Sequence, residues 1–215
     1  MIVTFDPEVM EIAGRSLRIS LTSTLLASLI CLPLASAIHF NRFPGKRLLV
    51  NLIQTFFSIP TVVIGLIAFA LFSRTGPLGG LDLLFTPTVM VVGQMILITP
   101  ILLGLTISAL SGVDQAVLDT ARSLGASGVQ TAIVVLKEAR FPVIAAVIMG
   151  FGRAISEVGI ALMIGGNIRG LTRVITTAIS LETSRGDLEL AIALGIILIF
   201  IALAVNIALN RLQQR

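Results

Sequence analysis

The sequence predicts an all-α polytopic membrane protein, with five transmembrane helices and a cytoplasmic helix–Gly–helix insert between the third and the fourth. Three observations lead to this fold class. Of the 215 residues, 56% are hydrophobic and only 12% are charged, with a mean hydropathy of +1.05, whereas a soluble domain is about a quarter charged. Five apolar segments are long enough to cross about 30 Å of hydrocarbon as helix. Between them lies one long polar stretch that still carries helix signals.

The five predicted spans belong to a single transmembrane domain that covers 1–215. They lie at 17–38, 48–72, 87–110, 141–164 and 188–209. Pro33, Pro60 and Pro100 fall inside the first three spans and predict kinks, for which helix shape is favoured over a flexing gate. The single cysteine, Cys31, lies in the first span, so no disulfide can form within the chain.

The segment before the first span, FDPEVMEIAGRS, places Phe5, Val9 and Ile12 at helical spacing with three acids between them. A short helix on the outer membrane surface and a frayed terminus are both consistent with this pattern. The leader is acidic and the apolar run that follows is long, which argues against a cleaved signal peptide.

The distribution of basic residues predicts that the N-terminus is outside and the C-terminus is cytoplasmic. With this orientation the inside segments hold Arg42, Lys46, Arg47, Arg122, Lys137, Arg140, Arg211 and Arg215, and the outside segments hold Arg15, Arg18, Arg74, Arg169, Arg173 and Arg185. Eight basic residues inside against six outside follow the positive-inside rule. The basic loop FNRFPGKR, close to two span ends, adds to the asymmetry.

The polar insert, residues 111–137, is predicted to be two short helices. Ser111 can cap the first helix, with Asp114 in its first turn, and Gly125 supplies the residue with which helices often end. The sequence SGVQ from Ser127 is a capping box that opens the second helix. A loop of this length is usually disordered or functional. Two sets of helix signals argue against disorder, so the insert is predicted to dock a partner.

An acid and a base are predicted to lie on one face of the fourth span. Arg153 and Glu157 are four residues apart, and both fall near the middle of the membrane. Charges at that depth must face the bundle interior or a wet cavity. The pair could lock helix packing, or it could lie beside a solute path as part of a gate, and the second interpretation is favoured.

The insert contains DTARSLG, which resembles the coupling motif of ABC importer permeases. The match has an acid at Asp119, two small residues at Thr120 and Ala121, and a glycine at Gly125, while Lys137 replaces the proline with which the motif normally closes. The resemblance implies that the first insert helix sits in a cleft of a separate ATPase subunit. The residues at this joint are Asp119, Thr120, Ala121, Leu124 and Gly125.

Further strings are similar to the tungstate-type branch of the oxyanion permeases. They are FSIPTVVIGL, SRTGPLG, LLFTPT, GRAISEVG and GGNIRGLTRVITTAISLETSRGD. This resemblance implies import of tungstate, or alternatively molybdate or sulfate, delivered by an extracytoplasmic binding protein. The implied path or gate residues are Arg153, Glu157, Ser58 and Pro60. The implied docking residues for the binding protein are Gly165, Gly166, Asn167, Arg169 and Arg173.

The chain lacks the motifs of a self-sufficient enzyme. It has no phosphate-binding loop and no H-E-x-x-H, and His39 is its single histidine. The expectation is therefore a permease subunit without metal or cofactor of its own, in a prokaryotic plasma membrane. Its expected partners are a second copy, two ATP-binding cassette subunits that use ATP, the binding protein and membrane lipid, but no nucleic acid. A secondary transporter or channel, and a membrane scaffold, are the competing classes.

Overall fold

The computed structural model describes residues 7–213, which are mostly helical. The helices are α1 (Pro7–Phe40), α2 (Lys46–Thr55), α3 (Thr61–Phe72), α4 (Pro87–Ser111), α5 (Gln115–Ser123), α6 (Gly128–Glu138), α7 (Arg140–Ile155), α8 (Gly159–Gly165), α9 (Ile175–Arg185) and α10 (Leu188–Gln213). Two short 3₁₀ turns, Phe56–Ser58 and Gly79–Leu81, lie on either side of α3. Among these described residues the helices α1, α4 and α10 are each long and apolar enough to cross a membrane.

The second and fourth apolar segments, predicted as single spans, are each two helices. The first pair, α2 with its 3₁₀ turn followed by α3, is bent by 98°, and the pair of α7 and α8 is bent by 57°. Pro60 causes the first bend, because its ring disfavours helical backbone at Ile59, which is extended with φ −63° and ψ 130°. Pro33 and Pro100, in contrast, lie inside the continuous helices α1 and α4. The chain therefore has up to five spans if each bent pair crosses once.

The segment before the first span is part of α1. Val9, Ile12 and Ala13 are buried in a cluster with residues of α9 and α10, including Ile175 and Leu194. The two interpretations offered for this segment, a surface helix and a frayed terminus, are therefore both wrong for residues 7–15. Phe5 lies outside the described residues. The apolar spacing that suggested a helix is real, but its face packs against protein.

The core forms where α1 and α7 pack against α4. Ile98 and Leu102 of α4 are fully buried, as are Cys31 of α1 and Ala154 of α7. Glycine permits the close contacts between helices, since a Cβ at Gly150 would lie 3.1 Å from the Leu102 side chain. The long helix α4 is the common wall of this core.

The insert continues directly from α4. Ser111 is not the cap of the first insert helix, because α4 continues through Ser111 and its hydroxyl donates to the Ile107 carbonyl. Asp114 is the cap, and its carboxylate accepts from the Ala116 amide at 2.9 Å. The capping box predicted at SGVQ is confirmed, with both reciprocal bonds between Ser127 and Gln130 present.

Candidate functional site

The turn between α5 and α6 is tightly specified by its backbone. Gly125 has φ +82°, a conformation that favours glycine. The Gly125 amide donates to the Arg122 carbonyl at 2.9 Å, and the Ala126 amide donates to the Ala121 carbonyl at 3.0 Å. These two bonds form a Schellman motif, which satisfies the free carbonyls at the end of α5. The glycine that the sequence singled out thus fixes the angle of the elbow.

The elbow has a buried side and an exposed side. Val135 and Ala139 are buried against Leu110 at the end of α4 and Val143 at the start of α7. The opposite side exposes Leu124, which is 84% accessible, together with Val129 and Ile133. Exposed apolar side chains outside the membrane-spanning helices commonly mark a protein–protein contact. This side of the elbow is therefore a candidate contact surface for a protein partner.

The five predicted joint residues divide between these two sides. Asp119, Thr120, Leu124 and Gly125 are exposed, and Asp119 accepts a hydrogen bond from the Gln115 side chain at 3.1 Å. Ala121 is buried beneath the elbow. Its small size therefore serves packing within the insert, and the surface available to a partner is formed by the other four.

The predicted ion pair lies at the bend between α7 and α8. Arg153 Nη1 is 2.9 Å from Glu157 Oε2, and the Glu157 side chain is 2% exposed while that of Arg153 is 36% exposed. The placement of both residues on one helix face is wrong, because α7 ends at Ile155 and Glu157 lies beyond it. The second oxygen, Glu157 Oε1, accepts the Ile160 amide at 3.0 Å, so the carboxylate also caps the start of α8.

Gln94 of α4 reaches the same bend and was not singled out by the sequence analysis. Its Nε2 donates to the Ala154 carbonyl at 3.0 Å, and its Oε1 accepts from the Ser23 hydroxyl at 2.7 Å. The Glu157 carbonyl accepts from the Thr176 hydroxyl at 2.7 Å. A lone glutamine in an apolar span is the signal that could have identified Gln94, because buried amides must find partners.

The two bends meet. A Cβ at Gly159 would lie 2.9 Å from the Thr61 hydroxyl and 3.3 Å from Glu157 Oε1. Thr61 is the first residue of α3, directly after Pro60, and Ser58 lies in the exposed turn that precedes it. The structure therefore brings Pro60 and the Arg153–Glu157 pair to adjoining positions where α3 and α8 begin.

The predicted outer docking loop follows α8 and is held together by its own side chains. Gly166 and Asn167 have positive φ values of 70° and 50°. The Thr177 hydroxyl donates to the Asn167 side chain at 2.9 Å, and the Thr172 hydroxyl donates to the Gly165 carbonyl. Both threonines are fully buried. The hydroxyls of this loop thus fix its shape.

The two arginines of the loop have different environments. Arg169 is 72% exposed and pairs with Glu8, whereas Arg173 is 9% exposed and lies 3.5 Å from Glu182. Arg15 Nη1 donates to the Arg173 carbonyl at 2.9 Å. Arg173 therefore joins α1 to α9 inside the protein, and Arg169 is the accessible cation.

The outer loop and the insert lie at opposite ends of α4. The Phe85 amide, just before α4, donates to the Ile164 carbonyl at 2.9 Å, while Ser111 ends α4 beside the insert. A helix of 25 residues is about 37 Å long. The two predicted docking surfaces are thus separated by the thickness of a membrane.

Comparison with known proteins identifies the family of the chain. The family described as "Binding-protein-dependent transport system inner membrane component" matches residues 29–215. The chain is 39% identical over 214 residues to the tungstate uptake system permease protein of Peptoclostridium acidaminophilum, covering 100% of this chain and 94% of that protein. It is 37% identical over 210 residues to the protein of the same description from Campylobacter jejuni, covering 94% and 88%.

The fold also matches a solved transporter. An inward-facing structure of the MetNI methionine ABC transporter superposes with a TM-score of 0.75 at 17% identity, covering 95% of this chain and 94% of the matched chain. This likeness concerns the fold alone. The matched family and the two relatives show that the chain belongs to the inner membrane components of binding-protein-dependent transport systems, the permease subunits of ABC importers.

Proposed function

We propose that this permease subunit translocates tungstate or a similar tetrahedral oxyanion, working as a homodimer with two ATPase subunits and an extracytoplasmic binding protein. The observation that carries the proposal is the elbow of α5 and α6. It is capped, hydrogen-bonded and buried on one side, yet it exposes Leu124 and Val129 on the other. A channel or a scaffold has no need for such a surface.

The elbow can transmit movement because it is rigidly attached to two spans. Val135 and Ala139 are packed against Leu110 at the end of α4 and Val143 near the start of α7. A push on Leu124 by a closing ATPase would therefore move α4 and α7 together. The exposed carboxylate of Asp119 can pair with a donor of the partner across the same joint.

The translocation path is proposed to run past the two bends, where each bent pair crosses the membrane as one span. Arg153 is partly exposed although its partner Glu157 is buried, so the guanidinium remains accessible from one side. Such a cation can attract a dianion, while Glu157 neutralises part of its charge and prevents tight capture. Ser58 and Pro60 line the neighbouring bend, and a second copy would complete the enclosure.

The loop after α8 is proposed to receive the binding protein, with the N-terminus outside and the C-terminus in the cytoplasm. Its shape is fixed by internal bonds of Asn167 and Thr172, and Gly165 and Gly166 begin it. Arg169 is the exposed cation for an acidic patch on the binding protein. The buried Arg173 acts indirectly, since it holds α1 and α9 in place beneath the loop.

Tungstate is proposed as the substrate because two relatives that cover nearly the whole chain are described as tungstate uptake permeases. Molybdate and sulfate are the alternatives, and both are tetrahedral dianions like tungstate. A path with one accessible arginine distinguishes poorly between them. Selectivity therefore belongs to the binding protein, and the substrate is identified by testing the assembled system.

The test is reconstitution of the purified complex in liposomes. We expect an ATPase to co-purify with this chain, and ATP hydrolysis to rise when tungstate and the binding protein are added together. Equal stimulation by sulfate would contradict the substrate assignment. Ion flux by the chain alone without ATP would contradict the coupled mechanism and favour a channel.

A variant of the elbow sharpens this test. Leu124→Glu should abolish co-purification of the ATPase while leaving the fold intact, because the side chain is 84% exposed. The matched control is Leu81→Glu, an exposed leucine of the turn between α3 and α4, which should retain the ATPase. Retention by both variants would show that the elbow is not the docking surface.

A further inference from the structure

A second charged site lies at the same end of the molecule as the elbow, between the α1–α2 loop and the end of α4. It is a cavity of about 830 Å³. Its lining includes three cations, an aromatic ring and two polar side chains: Arg42, Lys46, Arg47, Phe43, Asn51 and Ser111. Neither the coupling surface nor the translocation path uses these residues.

No Asp or Glu of the described part of the chain lines this cavity to balance its positive charge. The sequence contains no Asp or Glu between Glu11 and Asp82. Lys46 Nζ donates to the carbonyls of His39 and Asn41, which holds the ammonium in place. Arg42 and Arg47 are exposed and form no hydrogen bond or ion pair with the described residues. The two unpaired guanidinium groups and the hydrogen-bonded ammonium make this cavity a candidate binding site for an anion.

The surroundings of the cavity indicate what kind of anion. Leu48, Leu49 and Leu52 of α2 are exposed next to the cations, and Phe43 is exposed at the loop. This arrangement joins a cationic pocket to an apolar surface. A free oxyanion would use only the pocket, whereas a phospholipid would use both, with its phosphate at the guanidinium groups and its acyl chains along the leucines.

We propose that this cavity binds the headgroup of an anionic phospholipid from the cytoplasmic leaflet. The assignment of the leaflet rests on the proposed function, because it follows from the elbow being the cytoplasmic docking surface. The lipid phosphate would bridge Arg42 and Arg47, for which the planar guanidinium is better suited than an ammonium.

Occupancy of the cavity would also reach the coupling surface. The Ser111 hydroxyl lies 3.3 Å from His39 Nδ1, which joins the last turn of α1 to the last residue of α4, and Lys46 at the start of α2 donates to the His39 carbonyl. Asp114, three residues later, caps the first helix of the elbow. A lipid headgroup that immobilises the α1–α2 loop would therefore also restrain the end of α4, from which the elbow begins.

The test is native mass spectrometry of the purified full chain with added phosphatidylglycerol or phosphatidylcholine of identical acyl chains. We expect the wild-type chain to retain phosphatidylglycerol preferentially. The double variant Arg42→Gln with Arg47→Gln should lose this preference by roughly fivefold for each arginine removed. Arg42→Lys with Arg47→Lys keeps the charge but loses the planar guanidinium groups, so its preference should lie between those of the wild type and the glutamine variant.

The control is Arg74→Gln, which removes an exposed arginine beyond the far end of α3 and should leave lipid binding unchanged. Equal retention of the two lipids by the wild-type chain, or an unaltered preference in the glutamine variant, would overturn the proposal. Displacement of phosphatidylglycerol by inorganic phosphate, at an ionic strength matched with chloride, would overturn the lipid assignment in favour of a free-anion site. The assay uses no ATP, tungstate or partner subunit, so its failure is distinguishable from a failure of the transport function.

Discussion

The two bent helix pairs, α2 with α3 and α7 with α8, differ in what fixes the angle between their helices. Between α2 and α3 the chain turns by 98° through an extended Ile59–Pro60 pair. Among the described residues, no side chain from another helix hydrogen-bonds to 56–61. Between α7 and α8 the turn is 57°, and Gln94, Thr176 and Glu157 all donate to or accept from its backbone.

The difference shows which bend depends on tertiary contacts. The first bend is a local backbone preference, since proline restricts the residue before it and cannot donate a hydrogen bond. The second is assembled from four helices, because α4 and α9 supply the partners for the end of α7 and Glu157 supplies the partner for α8. We therefore expect the second bend to be sensitive to side-chain changes and the first to be tolerant of them.

The largest effect is expected for Glu157→Ala. The substitution leaves Arg153 without its acid and the Ile160 amide without its acceptor. Breaking a buried ion pair costs about 3–5 kcal/mol, and we expect about 3 because Arg153 is partly exposed. The measurement is the free energy of unfolding, or the denaturation temperature, of the purified chain in detergent micelles.

Two further variants control this experiment. Glu157→Gln keeps an acceptor for Ile160 and should lose less stability than the alanine variant. Glu189→Ala removes an exposed acid from the first turn of α10 and should change stability by less than about 1 kcal/mol. A Glu157→Ala chain as stable as Glu189→Ala would show that the carboxylate does not hold the bend.

A smaller effect is expected for Gln94→Leu, which keeps the size of the side chain but removes its amide. The Ala154 carbonyl then still accepts from a backbone donor, the Glu157 amide at 3.2 Å. Loss of one partner of a buried hydrogen bond costs about 1–3 kcal/mol, and the remaining donor places this case near the lower end. The same unfolding measurement checks it.

Gln54→Leu is the matched control for that prediction, because Gln54 lies exposed on α2. It should be neutral or slightly stabilising. If the two leucine variants unfolded alike, the hydrogen bond from Gln94 to the end of α7 would contribute nothing, and the bend between α7 and α8 would be set by packing alone.

These two bends also mark the limit of what the sequence predicts. The turn and the second helix of the elbow could be predicted because their signals are local: the capping box at Ser127 and the glycine at 125 act on neighbouring backbone. The start of the first helix was placed wrongly at Ser111, because α4 continues through that residue and Asp114 is the cap.

The sequence did not distinguish the three prolines, although Pro33 and Pro100 lie inside continuous helices and Pro60 directly precedes the first residue of α3. Whether a proline kinks or breaks a span depends on which neighbours satisfy the freed carbonyl.

The polar residues of the candidate path show the same limit. The spacing of Arg153 and Glu157 predicted an ion pair on one helix face, and the ion pair is confirmed although the two residues do not share a helix. It did not predict that the helix ends between them, since the partners that stabilise that end, Gln94 and Thr176, come from other helices. Likewise, nothing in the sequence around Arg173 indicated that its guanidinium lies inside the protein beside Glu182.

The smallest effect on stability is expected for Pro60→Ala. The substitution frees the backbone at Ile59 and raises the conformational entropy of the unfolded chain, which costs about 0.4–1 kcal/mol. Because no side chain from another helix hydrogen-bonds to this bend in the described residues, the angle between α2 and α3 should become more variable. Spin labels at Gln54→Cys and Leu66→Cys, in a Cys31→Ala background, would report a broader distance distribution.

Pro100→Ala is the comparison that makes this last experiment decisive. Pro100 lies inside a continuous helix, so alanine there can add a backbone hydrogen bond and should not loosen α4. An unchanged distance distribution in Pro60→Ala would mean that packing of α3 against α8 fixes the first bend too. The close approach of Gly159 to Thr61 would then be the restraint, and both bends would move as one unit.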